Sequence, residues 1–433
     1  MVRPGGVIFA RRLLIETCAA VVRRVSRSVV VVVALAGLAP APAASANQDF
    51  RRWVEELWPE AKALGVSRQT YDAAFKDVQP DLTLPDLILP GQKRPAGNDQ
   101  PEFSKTPVEY LESNHLSRLT AQGRELLARH AATLARIERE IGVERHIVLA
   151  IWGRETAFGS HKVGYDAIRA LATQAYLGRR KELFRTELLS ALRMLQDNAI
   201  SRENMRSSWA GAMGLTQFMP SEFYTSAVDM DGDGRKDIWH SLPDALGSAA
   251  MQLKQKGWVT GQPWAYEVRL PAGASCLWEG IPQGRPVREW VRLGVARADG
   301  KPIDPARFED RAFLIMPAGR QGPAFLAFEN YLVIKRYNMS DLYVLFVGHL
   351  ADRIAGGGEF RTPWSPIRQL PNRDIEEIQS RLKTLGYDVE KVDGRAGMNT
   401  RNQIGAYQKA SRMAIDCWPS EAVLKALRQA ASQ

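Results

Sequence analysis

Cysteine is scarce in this sequence of 433 residues, which contains only Cys18, Cys276 and Cys417. None of the three stands in the paired spacing of a zinc site. Cys18 precedes an apolar run instead of following it, which argues against a lipid-modified cysteine. Cys276 and Cys417 fall in segments that we assign to different domains. An oxidising compartment would permit a disulfide between them, but the sequence does not imply this pair, and we expect none.

A long hydrophobic run is also missing. The apolar stretch from Ser28 to Ala39 is too short to cross a bilayer comfortably. A basic region precedes it, and Ala44-Ser45-Ala46 offers the small residues at which a signal peptidase cuts. We therefore predict that residues 1–46 are a signal peptide and that the mature protein is exported and soluble, with no stable transmembrane segment. An uncleaved anchor is the alternative, because the basic region is unusually long.

The remaining chain has no strong excess of one charge. The formal net charge is +10, but residues 1–46 contain six Arg and one Glu and so carry half of it. The mildly basic remainder suits an anionic polymer. We disfavour nucleic acid because the sequence has no RNA-binding aromatic motif and no dense Lys/Arg stripe. With 45% apolar and 24% charged residues, the chain has ample material for a large core, and its length allows two to four domains.

A single carboxylate interrupts an apolar helical pattern. At about 100° per residue, Ile147, Val148, Ile151 and Glu155 fall on one side of a helix. Poor hydration beside aliphatic and indole carbon disfavours the charged carboxylate, which suits Glu155 to donate a proton near neutral pH. Gly159 would supply the left-handed position that ends the helix beside an opening. The alternative is a structural Glu that pairs with an Arg such as its neighbour.

A second motif, from Ser208 to Pro220, reads SWAGAMGLTQFMP. Its small residues let backbone approach a ligand closely, while Ser208 and Gln217 offer hydrogen bonds. Trp209 and Phe218 could give stacking faces for a sugar, although at least one of the two is equally well explained as core.

These two motifs, followed in the expected order by Arg336-Tyr337-Asn338, resemble the lytic murein transglycosylases of the membrane-bound lytic transglycosylase B type. The resemblance covers most of residues 50–357 and includes a segment near Tyr110 that packs beside the cleft in that family. It implies a mainly α (α+β) protein with a lysozyme-like catalytic core in residues 47–357. We expect a small β insertion at about residues 264–317 within this core.

The resemblance also implies a mechanism. Most glycosidases need two carboxylates, and we find one good candidate. Glu155 would protonate the glycosidic oxygen of a β-1,4 bond in peptidoglycan and then, as a carboxylate, accept the proton of the muramyl C6 hydroxyl, which closes onto C1. The products would carry 1,6-anhydromuramyl ends, and the chemistry needs no cofactor. Candidates for holding the sugar are Ser208, Gln217, Tyr337 and Asn338.

Two other functions stay open at this point. One is a hydrolytic muramidase that uses a second carboxylate brought close by folding. The other is a non-catalytic protein that binds peptidoglycan. We expect a periplasmic location and peptidoglycan glycan strands as the partner, and the sequence does not identify protein partners.

An Asp-rich loop follows the second motif. Carboxylates alternate along it, and Gly234 takes the sharp sixth position of a calcium loop, but His240 replaces the bidentate Glu at the twelfth. In the resembled family such a loop binds calcium with help from a later Asp, which suggests a structural Ca²⁺ held by Asp229, Asp231, Asp233, Arg235, Asp237 and Asp244. Asp244 matches the later Asp of that family only with a one-residue offset in spacing. An Asp-Gly turn whose carboxylates cap backbone amides is the alternative.

The C-terminal part predicts a separate module. Gly356-Gly357-Gly358 and three prolines mark residues 358–371 as a linker. Residues 372–433 resemble the three-helix peptidoglycan-binding domain, which would tether an enzyme to its polymer. A generic helical appendage is the alternative. Its predicted core consists of Ile375, Ile378, Leu382, Leu385, Ile404, Tyr407, Leu424 and Leu427.

Periodicity predicts further elements, and Asp166 and Ser340 are suitable N-caps. The expected helices are 126–141, 167–177, 182–195, 322–334 and 340–354, and the expected strands include 266–270 and 290–293.

Overall fold

The computed structural model describes residues 42–89 and 104–430. Residues Ala46–Gln433 form one compact unit, which contains the described elements apart from the first residues of α1. The predicted signal peptide lies almost entirely outside the described residues. No helix within residues 42–89 and 104–430 is long and apolar enough to cross a membrane.

Helices dominate the described structure. They are α1 Pro42–Ala63, α2 Arg68–Phe75, α3 Pro107–Tyr110, α4 Ser113–Arg129, α5 Ala131–Ile141, α6 Arg145–Thr156, α7 Ala167–Leu177, α8 Lys181–Gln196, α9 Pro220–Ser226, α10 Leu242–Gln255, α11 Val287–Arg292, α12 Glu329–Tyr337, α13 Asp341–Ile354, α14 Asn372–Thr384, α15 Met398–Ala410 and α16 Glu421–Ala430. The strands are β1 Tyr165–Asp166, β2 Arg206–Ser207, β3 Ala265–Arg269, β4 Arg285–Pro286, β5 Ala296–Arg297, β6 Arg311–Ile315 and β7 Ala324–Ala327.

The β insertion is a five-stranded antiparallel sheet in the order β4-β6-β7-β3-β5. Its central strands are buried on both faces, so their alternate residues enter two cores. Phe313 and Phe325 join the core that surrounds α6 and α13, whereas Leu314 and Leu326 join a second core with Trp290. The sheet therefore connects the α6 region to the rest of the β insertion.

Several predicted boundaries need correction. The predicted strand at 290–293 is part of helix α11, because Trp290 is buried and donates its indole N–H to the Ala312 carbonyl. The predicted helix at 322–334 contains strand β7, so the β insertion runs past 317 to Ala327. The single helix predicted at 126–141 is two helices that meet at His130. Asp166 and Ser340 do cap α7 and α13, as predicted.

The C-terminal helices α14, α15 and α16 enclose a small core of their own. Seven of the eight predicted members are buried in it, but Leu385 is 44% exposed because α14 ends at Thr384. The predicted linker is packed, since the amides of Arg361 and Thr362 donate to Glu267 and the Ser365 amide donates to the Gln321 carbonyl.

The expectation that Cys276 and Cys417 remain unpaired is wrong. They form a disulfide with a Cα–Cα distance of 6.1 Å. Both are fully buried in the second core, which also contains Trp290 and Leu314. The segment before α16 packs there against the β insertion. The two cysteines are 141 positions apart, so no local sequence pattern indicates the pair.

Candidate active site

Helix α6 carries Glu155 at its C-terminal end. The helix is buried almost all round rather than on one apolar face, and Arg154 and Glu155 are its half-buried members near the end. Ala157, with φ of 46°, takes the left-handed terminal position that we had assigned to Gly159. Phe158 and Gly159 also have positive φ. The chain thus turns sharply one residue after Thr156, which leaves the Glu155 side chain on the last helical turn.

A glycine makes this turn fit. The ring of Phe158 folds back and meets Trp152 edge to face, with ring centroids 5.4 Å apart. A Cβ on Gly153 would lie 2.7 Å from the Phe158 ring, which is closer than van der Waals contact allows. Gly153 therefore permits the close packing that fixes the end of α6.

Tyr343 holds the Glu155 carboxylate. Its hydroxyl donates to Glu155 Oε1 at 2.5 Å. The pKa of the Tyr343 hydroxyl lies well above its ordinary value, because burial and the Glu155 charge both disfavour the phenolate. The hydroxyl therefore stays protonated and remains a donor. A donor of this kind stabilises the ionised carboxylate relative to the protonated form.

A second tyrosine connects this pair to the 208–220 segment. The Tyr337 ring stacks on Tyr343 with an interplanar angle of 8° and centroids 6.4 Å apart. Its hydroxyl donates to the Thr216 carbonyl at 2.5 Å. The pKa of Tyr337 is also well above its ordinary value, through burial first and the charge of Glu155 second. Tyr337 thus fixes the distance between α12 and the second motif.

The end of α6 contacts the same segment directly. Thr156 Oγ1 donates to the Leu215 carbonyl at 2.7 Å and accepts from the Gly159 amide at 3.1 Å. The segment itself is a tight turn, since Met213 and Phe218 exchange two backbone hydrogen bonds of 2.8 Å. Gly214 lies within this turn at φ 77°, where a Cβ would approach the Ile238 carbonyl oxygen to 2.7 Å. The second motif therefore contacts the first at Thr156, the residue that follows Glu155.

Arg154 reaches aromatic rings on the neighbouring elements. It donates to the Tyr110 hydroxyl from Nη2 at 2.6 Å and from Nε at 3.1 Å. Its guanidinium lies over the rings of Tyr110, Tyr343 and Phe346 at 5.3 to 5.8 Å from the ring centroids. These contacts are typical of a cation–π cluster. The segment near Tyr110 therefore packs beside Glu155, as the resemblance implied.

Comparison with known proteins agrees with this geometry. The family model described as Transglycosylase SLT domain matches residues 49–352, which is more than half of the chain. The chain belongs to the transglycosylase SLT family. A second model, described as "Putative peptidoglycan binding domain", matches residues 371–427, which include α14, α15 and most of α16.

Relatives of this transglycosylase SLT protein include the membrane-bound lytic murein transglycosylase B of Escherichia coli (strain K12). It is 33% identical over 216 residues, which are 49% of this chain and 58% of that protein. The match therefore spans little more than half of the curated relative. Among solved structures, SltB3 from Pseudomonas aeruginosa in complex with NAG-anhNAM-pentapeptide is 39% identical with a TM-score of 0.78, covering 88% of this chain and 99% of that one.

A third similar protein is the Escherichia coli lytic transglycosylase Slt35. Its structure in complex with calcium is 25% identical with a TM-score of 0.56 and covers 71% of this chain and 93% of that one. These matches confirm the predicted fold class, a mainly α protein with a lysozyme-like core, a small sheet and a C-terminal helical module.

The predicted sugar-binding residues of this transglycosylase SLT protein differ from one another in burial. Phe218 is only 1% exposed and lies in the core with α7 and α8, so its ring is not available for stacking and that prediction needs correction. Trp209 is half-buried, as are Ser208 and Gln217. Ser208 Oγ accepts from the Ala212 amide at 3.2 Å, and Gln217 Nε2 donates to the Gly214 carbonyl at 3.1 Å. Their roles toward a sugar remain predictions.

Asn338 and Tyr337 occupy the end of α12 rather than a free loop. Asn338 is the C-terminal cap residue, and its Oδ1 accepts from the Ser340 amide at 3.1 Å. This contact shapes the short connection to α13.

The Asp-rich loop places three of the predicted calcium ligands together. Carboxylate oxygens of Asp229, Asp231 and Asp244 lie within 4.8 Å of one another. Asp244 is fully buried and accepts from the amides of Met230 at 2.7 Å and Asp237 at 2.8 Å, so it ties both ends of the loop to α10. Three oxygen-bearing side chains at this spacing fit the hard ligands that Ca²⁺ prefers.

The side chains of Asp233 and Asp237, two other predicted calcium ligands, are not part of that group. Asp237 Oδ1 accepts from the amides of Trp239 and His240, and Asp233 Oδ1 accepts from the Arg235 amide at 2.8 Å. Here the alternative of carboxylates that cap backbone amides describes the contacts.

Tyr343 and Arg154 are functional candidates that sequence reasoning missed. Tyr343 lies in the largely buried helix α13, where the sequence does not distinguish an aromatic functional residue from core. The sequence feature that could have indicated a functional role is the position of Tyr343 in the first turn after Ser340, close to the Tyr337-Asn338 motif. Its partner Glu155 is 188 positions away, which no local pattern reports.

Proposed function

We propose that this protein is a lytic transglycosylase. It cleaves the β-1,4 bond between N-acetylmuramic acid and N-acetylglucosamine in peptidoglycan and leaves 1,6-anhydromuramyl ends. The observation that carries the proposal is the half-buried Glu155 at the end of an otherwise buried helix, where Tyr343 donates to its carboxylate and the second motif contacts the adjacent Thr156.

Glu155 acts first as an acid and then as a base. It gives its proton to the glycosidic oxygen as the bond to C1 breaks. The resulting carboxylate takes the proton of the muramyl C6 hydroxyl as that oxygen bonds to C1, which returns Glu155 to its starting state without consuming water. Acid–base assistance of this kind is worth about 10²–10⁴-fold in rate, so positioning and electrostatics supply the rest. The NAG-anhNAM-pentapeptide in the SltB3 structure supports the anhydro product.

Ser208, Gln217, Tyr337, Asn338 and Trp209 hold the sugar in this proposal. Ser208 precedes the tight turn that contacts α6, and Gln217 lies within it. Tyr337 and Asn338 end α12 next to Tyr343. The C-terminal module binds the same polymer and so raises the local concentration of the catalytic site. Its match to a peptidoglycan binding domain supports this part.

The working location is the periplasm. The predicted signal peptide supports export, and the Cys276–Cys417 disulfide is a pairing that persists in oxidising compartments. A structural Ca²⁺ in the Asp-rich loop completes the proposal, supported by the grouped carboxylates and by the calcium complex of Slt35. Such an ion would stabilise the loop before α10 and takes no part in the reaction.

The decisive experiment is Glu155→Gln, which keeps the size of the side chain and removes the proton donor. We expect release of soluble fragments from purified cell wall to fall by about 10²-fold or more, with an unchanged melting temperature. Glu182→Gln, on the exposed surface of α8, is the matched control and should retain full activity. Full activity of Glu155→Gln would instead favour the non-catalytic wall-binding alternative.

Product analysis separates the enzyme classes. Mass spectrometry of digested cell wall should find anhydromuramyl ends, which are one water lighter than reducing ends. Reducing ends would show a hydrolytic muramidase, and the intramolecular attack by the C6 hydroxyl would then be wrong.

A further inference from the structure

The two tyrosines beside Glu155 stand next to a buried ion pair. Tyr337 follows Lys335 by two residues at the end of α12, and Tyr343 follows Asp341 by two residues at the start of α13. Lys335 Nζ donates to Asp341 Oδ1, and the two side chains are 21% and 9% exposed. This ion pair therefore links the end of α12 to the start of α13, the two helix ends that carry the stacked Tyr337 and Tyr343.

A residue of the C-terminal module completes the cluster. Arg401 on α15 places Nη2 3.6 Å from Asp341 Oδ2, and its side chain is only 3% exposed. Its Nε donates to Glu279 Oε2 at 3.0 Å and its Nη2 donates to Glu279 Oε1 at 2.5 Å. Glu279 is fully buried and also accepts from the Met316 amide. We call Glu279, Lys335, Asp341 and Arg401 the junction cluster.

The charges of the junction cluster depend on one another. Burial alone would raise the pKa of Asp341, but Lys335 and Arg401 lower it to about 2. Two carboxylates and two cations thus balance in a place with little water. Removal of Arg401 would leave Glu279 without its bidentate partner. Asp341 would keep Lys335 as its cation and the Tyr331 hydroxyl, which donates to Asp341 Oδ1 at 2.8 Å. A buried carboxylate that loses its partner either takes up a proton or draws its neighbours out of place.

The C-terminal module is held in place by other contacts as well. The Cys276–Cys417 disulfide joins it covalently to the β insertion. Asn402 Nδ2 donates to the Glu279 carbonyl at 2.7 Å, and the Arg320 amide donates to the Asp416 carbonyl at 3.0 Å. Substitution of Arg401 therefore alters the charge balance while the module stays attached.

We infer that Arg401 is a positioning residue for the proposed reaction, acting through Asp341 and Lys335 on the placement of Tyr343 against Glu155. This inference rests on the proposed function. It gives the C-terminal module a part in arranging the catalytic carboxylate, in addition to holding the polymer. The module is then required for full activity even on a soluble fragment that needs no tether.

Arg401→Met tests this on a soluble, uncrosslinked tetrasaccharide of alternating N-acetylglucosamine and N-acetylmuramic acid. We expect kcat to fall about tenfold with KM within about twofold, since a coupled positioning contact is worth roughly 1.4 kcal/mol. Arg401→Lys should recover part of the loss. The pH at which activity falls as Glu155 ionises should move upward, because a displaced Tyr343 hydroxyl would stabilise the ionised carboxylate less. Binding to purified cell wall should not change.

A double-mutant cycle separates positioning from general destabilisation. In the Tyr343→Phe background, Arg401→Met should cost little more, because the contact through which it acts is already lost. Full additivity, or wild-type kcat and pH profile in Arg401→Met, would overturn the inference. Glu377→Gln removes exposed ion pairs to Arg381 and Arg428 in the same module and is the matched control.

Three outcomes remain to be distinguished. If Arg401→Met does not fold, Arg401→Lys decides, and wild-type kcat in that variant overturns the inference. If Glu155→Gln is inactive while Arg401→Met behaves as wild type, the inference fails and the proposed function stands. If Glu155→Gln is fully active, the proposed function fails and the inference falls with it.

Discussion

Tyr343→Phe is the most informative single change, because it removes one hydroxyl and keeps the ring. The phenyl ring retains its stacking partner Tyr337 and its contact with Arg154. What disappears is the donor that lies 2.5 Å from Glu155 Oε1. That donor favours the ionised carboxylate, so its loss should favour the protonated form of Glu155.

The magnitude follows from the kind of hydrogen bond that is lost. A hydrogen bond to a charged group contributes about 1.5–3 kcal/mol, and one pH unit corresponds to about 1.36 kcal/mol. Tyr343 is 1% exposed, so water replaces the hydroxyl poorly. A general acid is active while protonated, and its activity is lost as the pH rises through its ionisation. Tyr343→Phe should therefore move the alkaline limb of kcat/KM upward by about one to two pH units.

The assay is a pH–rate profile with a soluble glycan fragment. Tyr337→Phe is the matched control, because its hydroxyl donates to the Thr216 carbonyl and not to Glu155. We expect a much smaller displacement of the limb in that variant. Equal displacements in both variants, or an unmoved limb in Tyr343→Phe, would refute the reasoning.

Three further predictions concern stability. Burial, and to a smaller extent Arg353, lower the pKa of His349 to about 3. The folded wild type should therefore lose stability as the pH falls below about 6.5, by about 3 kcal/mol at pH 4.5. His349→Leu should lack this pH-dependent loss. Asp244→Asn disturbs the buried carboxylate that anchors the Asp-rich loop, which should lower stability by about 1.5–3 kcal/mol and abolish any rise in melting temperature on adding Ca²⁺. Cys276→Ser with Cys417→Ser opens a disulfide that spans 141 positions, which should cost about 2–5 kcal/mol.

Each of these has its own measurement. Urea unfolding at pH 7 and pH 4.5 tests His349, and identical pH slopes in wild type and variant would contradict the prediction. Melting scans with Ca²⁺ and with chelator test Asp244, with Asp233→Asn as the control outside the carboxylate group, and an unmoved wild-type midpoint would count against a metal. For the cysteines, unfolding of wild type with and without reductant should reproduce the difference seen in the double variant.

Local patterns in the sequence were informative wherever the interacting groups are neighbours in the chain. The caps at Asp166 and Ser340 could be predicted because a cap bonds to amides within one turn. The apolar residues of α14, α15 and α16 predicted most of the C-terminal core. The turn after Glu155 was predicted in kind but misplaced, since the packing of Phe158 against Gly153 moved the left-handed position to Ala157.

The sequence by itself determined that a lone acid, Glu155, ends an apolar helix, and that a glycine-rich motif and a tyrosine-asparagine pair follow in order. Only the tertiary structure decided which groups meet there. Tyr343 reaches Glu155 across 188 positions, Arg401 reaches Glu279 across 122, and Cys276 pairs with Cys417 across 141. The reason is physical. Helix periodicity and capping depend on residues within a turn of one another, whereas these contacts depend on how whole elements pack.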